Sequence, residues 1–593
     1  MAVPPSALID FRAPCAGCEP LRAAFGAPRE ALVARRLADV PPVLLGAEAR
    51  ARDGAWCVGF LQYEAAGAFD AAQRTHTAQA DGAALARFLV YDAPLPEPEA
   101  SLAWEAGLSH AAHVDWHGNP QRPAFDAAIA RIHAAISAGE LYQANFTAQA
   151  QGRLDGEPLA LFDAMRRAQP HAYAAYIAGG DVAETVLSVS PELFFDWRDG
   201  RLLTSPMKGT APRGADAAQD AMARARLLAS GKERAENVMI VDLLRNDLSR
   251  VAEHFSVQVR RLFHTEAWPT VWQLSSEIEC RTRAGVGLAD VFRALFPSGS
   301  VTGAPKVQAM RMIHALEPAA RGVYCGAVGV IRPGGAATFN VPIRTLSLRG
   351  KQVCCGVGSG ITADADAGEE WQEWRHKRAF AVRASQPFEL LETLRLSGGR
   401  VADAAPHLAR MAGAAAHFGF AFDKARADAA LHEIAQQHPL GDWRARLLCD
   451  RWGAVRAQVF PLEPHPQSVL VQLAGMPVEG CDGEFFRFKT TRRTHYEVHA
   501  PGRPAVFDTL LWNDRGELTE FTRGSLALNI DGEWLTPALH CGLLPGIARA
   551  RLLAKGRLRE AVLSRSDLAR AQGIAFVNSL RGWLDAKLAD AHA

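Results

Sequence analysis

Residues 296–306 read Phe296-Pro297-Ser298-Gly299-Ser300-Val301-Thr302-Gly303-Ala304-Pro305-Lys306, and this stretch decides the larger part of the chain. Small and hydroxylated residues lead into an apolar-periodic segment, with Pro305 suited to the first turn of a helix. Free N–H groups of that turn could then point at a carboxylate. Farther on stand Arg321-Gly322-Val323-Tyr324-Cys325-Gly326, Asn340-Val341-Pro342-Ile343-Arg344-Thr345 and Gly356-Val357-Gly358-Ser359-Gly360-Ile361-Thr362. Gly358 and Gly360 permit close backbone approach, while Tyr324 and Arg344 offer a hydroxyl and a fork of donors for a second carboxylate.

Two acidic clusters flank these motifs. Glu233 and Glu236 lie three apart, so a helix displays both on one face, and Glu370, Glu373 and Lys377 repeat that geometry. If the two helices face each other, four carboxylates converge on a site for a hard cation such as Mg²⁺, which takes one or two carboxylates plus water and substrate oxygens.

Around this centre the pattern is ordinary. The chain has 593 residues, more than a single core of roughly 250–300 supports, so more than one domain is expected. A net charge of +1 gives no electrostatic case for nucleic acid or an anionic membrane, and no run of about 18 apolar residues suggests a membrane span. The expected partner is a small molecule and the expected compartment the cytoplasm. Ten cysteines are sparse; Cys15 and Cys18 alone show CxxC spacing, and no role is assigned to them.

Phe125, Ile129, Ile132 and Ile136 recur at helical spacing until Gly139, and Leu141 to Thr147 then reads as a strand. Helices and extended runs alternate to about residue 382. Arg383-Ala384-Ser385-Gln386-Pro387 interrupts a helix, and Phe388 to Leu396 begins a new strand pattern ending at Gly398-Gly399. The expected divisions are residues 1–115, the N-terminal part of a first α+β domain; 116–384, its site-bearing region; and 385–593, a second domain.

The motifs between about 120 and 382 resemble the chorismate-utilising family. That resemblance implies a two-sheet α+β sandwich. It makes Glu236 and Glu373 the Mg²⁺ ligands, with Glu233 and Glu370 beside them and Glu192 as a further catalytic carboxylate. Thr210, Ser300, Gly303, Tyr324, Arg344, Gly358, Gly360 and Lys377 would hold the substrate, chorismate. Lys208, in Pro206-Met207-Lys208-Gly209-Thr210, stands where the anthranilate branch usually has alanine and the aminodeoxychorismate branch has lysine. The resemblance makes it a nucleophile toward the ring, which needs the neutral amine, and burial or neighbouring cations can lower an amine's pKa for that role. Gln143 replaces the lysine base of the isochorismate and salicylate branches, which disfavours water attack. Gln273 replaces a common family His. No Gly-x-Cys-x-Gly loop with a following His-x-Glu pair is present, so ammonia is expected from a separate glutamine amidotransferase subunit.

Residues 386 to about 590 resemble the fold-type IV pyridoxal phosphate family. The residues carrying that likeness are His407 to Arg410, Phe488-Lys489-Thr490-Thr491, Gly516 to Arg523 and Gly542 to Ile547. It implies a pyridoxal 5'-phosphate enzyme in which Lys489 bonds the cofactor and carries protons, Glu520 partners the pyridine nitrogen, Arg410 binds phosphate, and the Gly546 and Ile547 amides cradle it. Asn578 to Gly582 would form the final strand, and a homodimer through this domain is possible for such a family. Together the two resemblances imply chorismate amination followed by elimination of pyruvate to 4-aminobenzoate. The rival readings are anthranilate synthesis joined to an aminotransferase, or a second domain serving only for docking.

Overall fold

The computed structural model describes residues 4–589 apart from 16, 78–82, 108–110, 181–183, 214–216, 268–270, 465–467 and 482. The chain divides into two compact units, Met1–Pro387 and Phe388–Ala593.

Two antiparallel sheets, of nine and ten strands, form the first unit. Alternating apolar residues explain how they meet. Ile9, Phe11, Ala175 and Ile177 of one sheet share a buried cluster with Val58, Phe60, Leu89, Val328 and Val330 of the other. Helices cover both outer faces: Val40–Arg52, Gly231–Ser249 and Leu288–Leu295 pack on one sheet, and Pro158–Ala168 and Ala367–Ala384 on the other. This is the expected two-sheet α+β sandwich. Residues before 115 are part of it, since Ala7–Phe11 pairs with Tyr173–Ile177 and Trp56–Leu61 with Ala327–Ile331.

Local signals carry through in several places. The helix Arg122–Ser137 buries Phe125, Ile129 and Ile132 and is followed by Gly139 at φ +75°. The strand Gln143–Asp155 then runs beside Gln352–Ile361 over ten paired residues on each strand. The expectation for Pro305 is corrected. Gly303–Ala304 is a short strand paired to Gln143 and Ala144, and the helix begins only at Lys306, with Pro305 as its cap. The cause is backbone pairing: the Ala304 carbonyl accepts from the Tyr142 amide at 2.8 Å, and the Thr302 carbonyl from the Asn145 amide at 2.8 Å. Cys15 and Cys18 are joined as a disulfide, whereas the other eight cysteines form no disulfide and are mostly buried.

The second unit holds a four-stranded antiparallel sheet under helices Ala404–Phe418 and Lys424–Gln437, and a mixed eight-stranded sheet with its own core. Leu390–Ser397 turns at Gly398 and Gly399, both at positive φ (+52° and +70°), as a two-glycine hairpin requires. Lys489 lies just outside the first of these sheets, its carbonyl accepting from the Leu391 amide at 3.1 Å. Residues 578–582 are not a strand. Asn578 Oδ1 accepts from the Arg581 amide at 2.8 Å and Gly582 stands at φ +74°, so the segment is the turn between Gly573–Asn578 and Gly582–Leu588.

Candidate active sites

Lys208 belongs to a β-bulge. Met207 pairs with Ser275 and Thr210 with Gln273, so three steps along one strand face two on the other, and the extra residue falls at Lys208-Gly209. Gly209 has φ +87°. A Cβ on it would lie 2.7 Å from Glu233 Oε2, so the bulge rests directly against the helix Gly231–Ser249. The bulge aims Lys208 at the glycine strand: a Cβ built on Gly360 would lie 2.9 Å from Lys208 Nζ and 2.0 Å from Gln143 Nε2. Only glycine at 360 leaves both side chains where they stand. Gln143 is fully buried, yet neither its Oε1 nor its Nε2 has a partner. Buried amides are ordinarily satisfied, so both polar atoms of this one are available to a ligand.

Glu192 closes another wall. It is 3% exposed and its Oε1 is unpartnered. Burial raises its carboxyl to about 7, against the opposing pull of a Ser300 hydrogen bond, Lys208 and Lys377. Lys377 donates to the Gly358 carbonyl at 3.0 Å and pairs with Glu373 at 3.1 Å. Ser300 also meets Ser298 Oγ at 2.9 Å. Lys208, Glu192, Ser300, Gly358, Gly360 and Lys377 are therefore brought together.

The four glutamates come from the two expected helices, and Glu233 is within electrostatic reach of Glu236 and Glu373. Among the described residues no group of three or more His, Cys, Asp or Glu side chains is placed to hold a metal. Lys377 and a hydrogen bond shared with Glu370 hold Glu373 below its ordinary value despite partial desolvation. Burial, then Glu373, raises Glu370 to about 7 and its Oε2 has no partner; burial, Glu236 and Glu373 raise Glu233. The acids thus crowd one another, with Lys377 paired to Glu373.

The other expected contact residues each have protein neighbours in the structure. Thr210 is exposed and its hydroxyl donates to Gln273 Oε1 at 3.1 Å. Gly303 serves the strand contact, where a Cβ would overlap the Gln143 carbonyl at 2.1 Å. Tyr324 is buried with its ring over Gly356, 2.3 Å from where a Cβ would stand. Arg344, at φ +50°, bonds Gln169 Oε1, and burial lowers its guanidinium to about 10.

The second unit encloses a cavity of about 570 Å³ lined by Arg410, Lys489, Glu520, Gly546 and Ile547, all five residues expected there. Enclosure, then Arg493 and Arg410, lowers the Lys489 amine to about 7. Glu520 is 4% exposed; burial raises its carboxyl to about 7, although Tyr496 Oη at 2.6 Å and the Leu544 amide at 3.1 Å donate to it. Gly546 caps the helix Ile547–Ala554, and a Cβ there would lie 2.7 Å from Ser525 Oγ.

Sequence reading left out Glu392. Its carboxylate, 1% exposed, holds Arg410 in a two-point grip at 2.8 and 2.6 Å and also meets His407 Nδ1 at 2.6 Å. Burial opposes ionisation, but Arg410 and His407 take Glu392 down to about 2. An acid within the apolar run Leu390-Leu391-Glu392-Thr393-Leu394 is the signal that could have found it. The arginines of one wall were also left out. Arg444, Arg446, Arg523 and Arg581 line the cavity. Burial, Arg523 and Arg444 lower Arg581, and among the described residues the Arg446 guanidinium has no hydrogen bond or ion pair.

Comparison with known proteins agrees with this geometry. Residues 43–383 match the chorismate binding enzyme family. The chain belongs to that family. Residues 389–588 match amino-transferase class IV, so the chorismate-binding domain is followed by a second, class IV domain. Over 283 residues the chain is 40% identical to aminodeoxychorismate synthase component 1 of Klebsiella aerogenes, covering 47% of this chain and 62% of that one. Over 262 residues it is 37% identical to anthranilate synthase component 1 of Streptomyces coelicolor, covering 44% of this chain and 51% of that one. The chain therefore spans less than two thirds of the length of these curated relatives. The crystal structure of anthranilate synthase component I from Streptococcus pneumoniae aligns with a TM-score of 0.51 at 23% identity, over 64% of this chain and 91% of that one, a likeness of fold. Among the described residues no helix is long and apolar enough to cross a membrane.

Proposed function

We propose that this protein makes 4-aminobenzoate from chorismate and ammonia in two steps, aminating chorismate to 4-amino-4-deoxychorismate in the first unit and eliminating pyruvate in the second. The observation that carries the reading is Lys208, aimed by its bulge at Gly360 and Gln143 beside Glu192. Overall identity does not choose between the relatives, because both an aminodeoxychorismate and an anthranilate synthase match over similar lengths. Lys208 chooses: its amine attacks ring carbon 2 with double-bond migration and loss of the carbon 4 hydroxyl, and ammonia then attacks carbon 4 and releases the lysine. Glu192, near 7, can give a proton to the departing hydroxyl at neutral pH. Gln143 binds without acting as a base, which keeps water from competing.

Mg²⁺ fits the acid pairs by the chemistry of their donors. Crowded carboxylates with an unpartnered buried oxygen gain from a divalent cation, and Mg²⁺ takes only one or two of them with substrate and water. Glu236 and Glu373 would hold it, beside Glu233 and Glu370.

Pyridoxal phosphate fits the second cavity on three observations: a lysine near 7, a buried acid opposite it, and a glycine-capped helix start beside an anchored arginine. When bound, it supplies an electron sink for the carbon that loses its proton. Glu520 would hold the pyridine nitrogen, Arg410 with the Gly546 and Ile547 amides the phosphate, and Lys489 the cofactor carbon. Freed once the substrate amine takes its place on the cofactor, Lys489 would remove the ring carbon 4 proton, and the carbon 3–oxygen bond would break with aromatisation to release the side chain as pyruvate. The arginine wall suits a substrate with two carboxylates, which favours the lyase over an ordinary amino-acid transaminase. We assign ammonia supply to a separate glutamine amidotransferase, and a cytoplasmic location to the whole.

Incubating the purified chain with chorismate, Mg²⁺, ammonium and pyridoxal phosphate tests the reading. 4-Aminobenzoate plus pyruvate supports both halves. Anthranilate overturns the reading of Lys208, and accumulation of aminodeoxychorismate alone demotes the second unit.

A further inference from the structure

Gln273 stands where the family commonly has His, and an amide can neither donate a catalytic proton nor take one at neutral pH. Its geometry gives it other work. Gln273 Nε2 donates to the Gly209 carbonyl at 2.8 Å while Gln273 Oε1 accepts from the Thr210 hydroxyl at 3.1 Å. One side chain therefore grips two consecutive residues of the neighbouring strand, at the point where the bulge ends and regular pairing resumes.

The bulge needs such a grip. Between Met207 and Thr210 the ladder loses its register, so Lys208 and Gly209 lack the regular cross-strand bonds that fix their neighbours. Gly209, at φ +87°, has many conformations open to it in a free chain, and its carbonyl is the atom that Gln273 holds. A histidine ring could not both donate to one of these atoms and accept from the other in the same planar arrangement that a primary amide offers.

We infer that Gln273 is a positioning residue that fixes the bulge and thereby the aim of Lys208, setting which ring carbon receives nitrogen. This rests on Lys208 being the nucleophile. With Lys208 held, its Nζ occupies ring carbon 2 and ammonia is left carbon 4. With the bulge released, ammonia takes carbon 2 itself, the carbon 4 hydroxyl leaves as water, and the amine appears at carbon 2.

The test compares wild type, Gln273→Met and Thr210→Val in the full chain with chorismate, Mg²⁺ and ammonium, separating the carbon 4 and carbon 2 amines by chromatography. Conversion of added aminodeoxychorismate by the second unit, together with circular dichroism, reports folding. Gln273→Met is expected to lower carbon 4 amination about 10- to 100-fold, leave KM for chorismate within about twofold, and raise the carbon 2 fraction, since misplacement by about 1 Å can cost that much. Thr210→Val removes half of the grip and is expected to show a smaller effect in the same direction. It carries the test should Gln273→Met not fold. The two effects should be non-additive in the double variant. Unchanged rate and product ratio in both single variants overturn the inference. Lys208→Ala separates this from the reading beneath it: if that variant still forms the carbon 4 amine at the wild-type rate, the nucleophile assignment itself fails.

Discussion

Lys208 and Lys489 are the same residue in opposite surroundings. Lys208 stands among acids, within electrostatic reach of Glu192, Glu233 and Glu373, on a bulge propped by an amide. Lys489 stands among arginines, with Arg493 and Arg410 lowering its amine to about 7. The contrast teaches that charge environment, more than residue type, sets what an amine does. Near carboxylates a lysine has proton acceptors at hand, and opposite charge favours its ammonium form. In a cationic, enclosed cavity its neutral form is favoured far more than in water, which suits it to bond a carbonyl and then move protons.

Exchanging either lysine should break the comparison most sharply. Lys489→Ala is expected to lower 4-aminobenzoate formation from added aminodeoxychorismate by roughly 10²–10⁴-fold, the usual worth of a positioned proton carrier, while chorismate amination persists. It should also abolish the visible absorbance acquired on adding pyridoxal phosphate. Lys208→Ala should give the mirror image, with amination at carbon 4 lost by a similar factor and the lyase step intact. If either variant disables both steps, the two sites are not independent and the comparison is wrong.

How much of this contrast could be read from the sequence depends on range. The lysines, the glutamate pairs and the glycine strand are local patterns with recognisable chemistry, and the hairpin at Gly398-Gly399 follows from two residues alone. The bulge at Lys208-Gly209 could not be read, because it is a register difference between strands more than sixty residues apart. Helical spacing places Glu370, Glu373 and Lys377 on one face, and the structure pairs Lys377 with Glu373 one turn away, but how close the other helix's Glu233 comes to Glu373 is a matter of tertiary packing. The bond from Thr210 to Gln273 could not be read for the same reason. Arg446 was invisible as a site residue because an arginine in an alternating strand is ordinarily a solvated face.

Titration sharpens the contrast next. Glu192 and Glu520 have folded values near 7, above the ordinary 4.5. A raised acid contributes its full stability below 4.5 and loses it as pH rises through 7, so at pH 8 each ionised carboxylate costs up to about 3 kcal/mol. Glu192→Gln is therefore expected to melt at a higher temperature than wild type at pH 8 and at the same temperature at pH 4, while losing amination. Glu392 has the opposite sign: its folded value near 2 lies below 4.5, so its stability is complete above 4.5 and is lost as pH falls toward 2. Denaturation of the second unit between pH 4.5 and 2 should lose about 3 kcal/mol from this group, a loss absent in Glu392→Gln. Equal slopes in wild type and variant would refute the assignment.

The smallest expected effect probes the wall rather than the lysines. Arg446 carries a guanidinium with no protein partner among the described residues, facing the same cavity as Lys489. A carboxylate pairing there is worth about 1.5–3 kcal/mol as a hydrogen bond to a charged group. Because that carboxylate is distant from the bond that breaks, the contact should be equally strong in the bound substrate and the transition state. Arg446→Leu is thus expected to raise KM for aminodeoxychorismate by about tenfold or more with kcat nearly unchanged, the signature of uniform binding. If kcat falls instead while KM holds, Arg446 acts on the reacting centre, and the cationic surroundings of Lys489 govern chemistry as well as substrate choice.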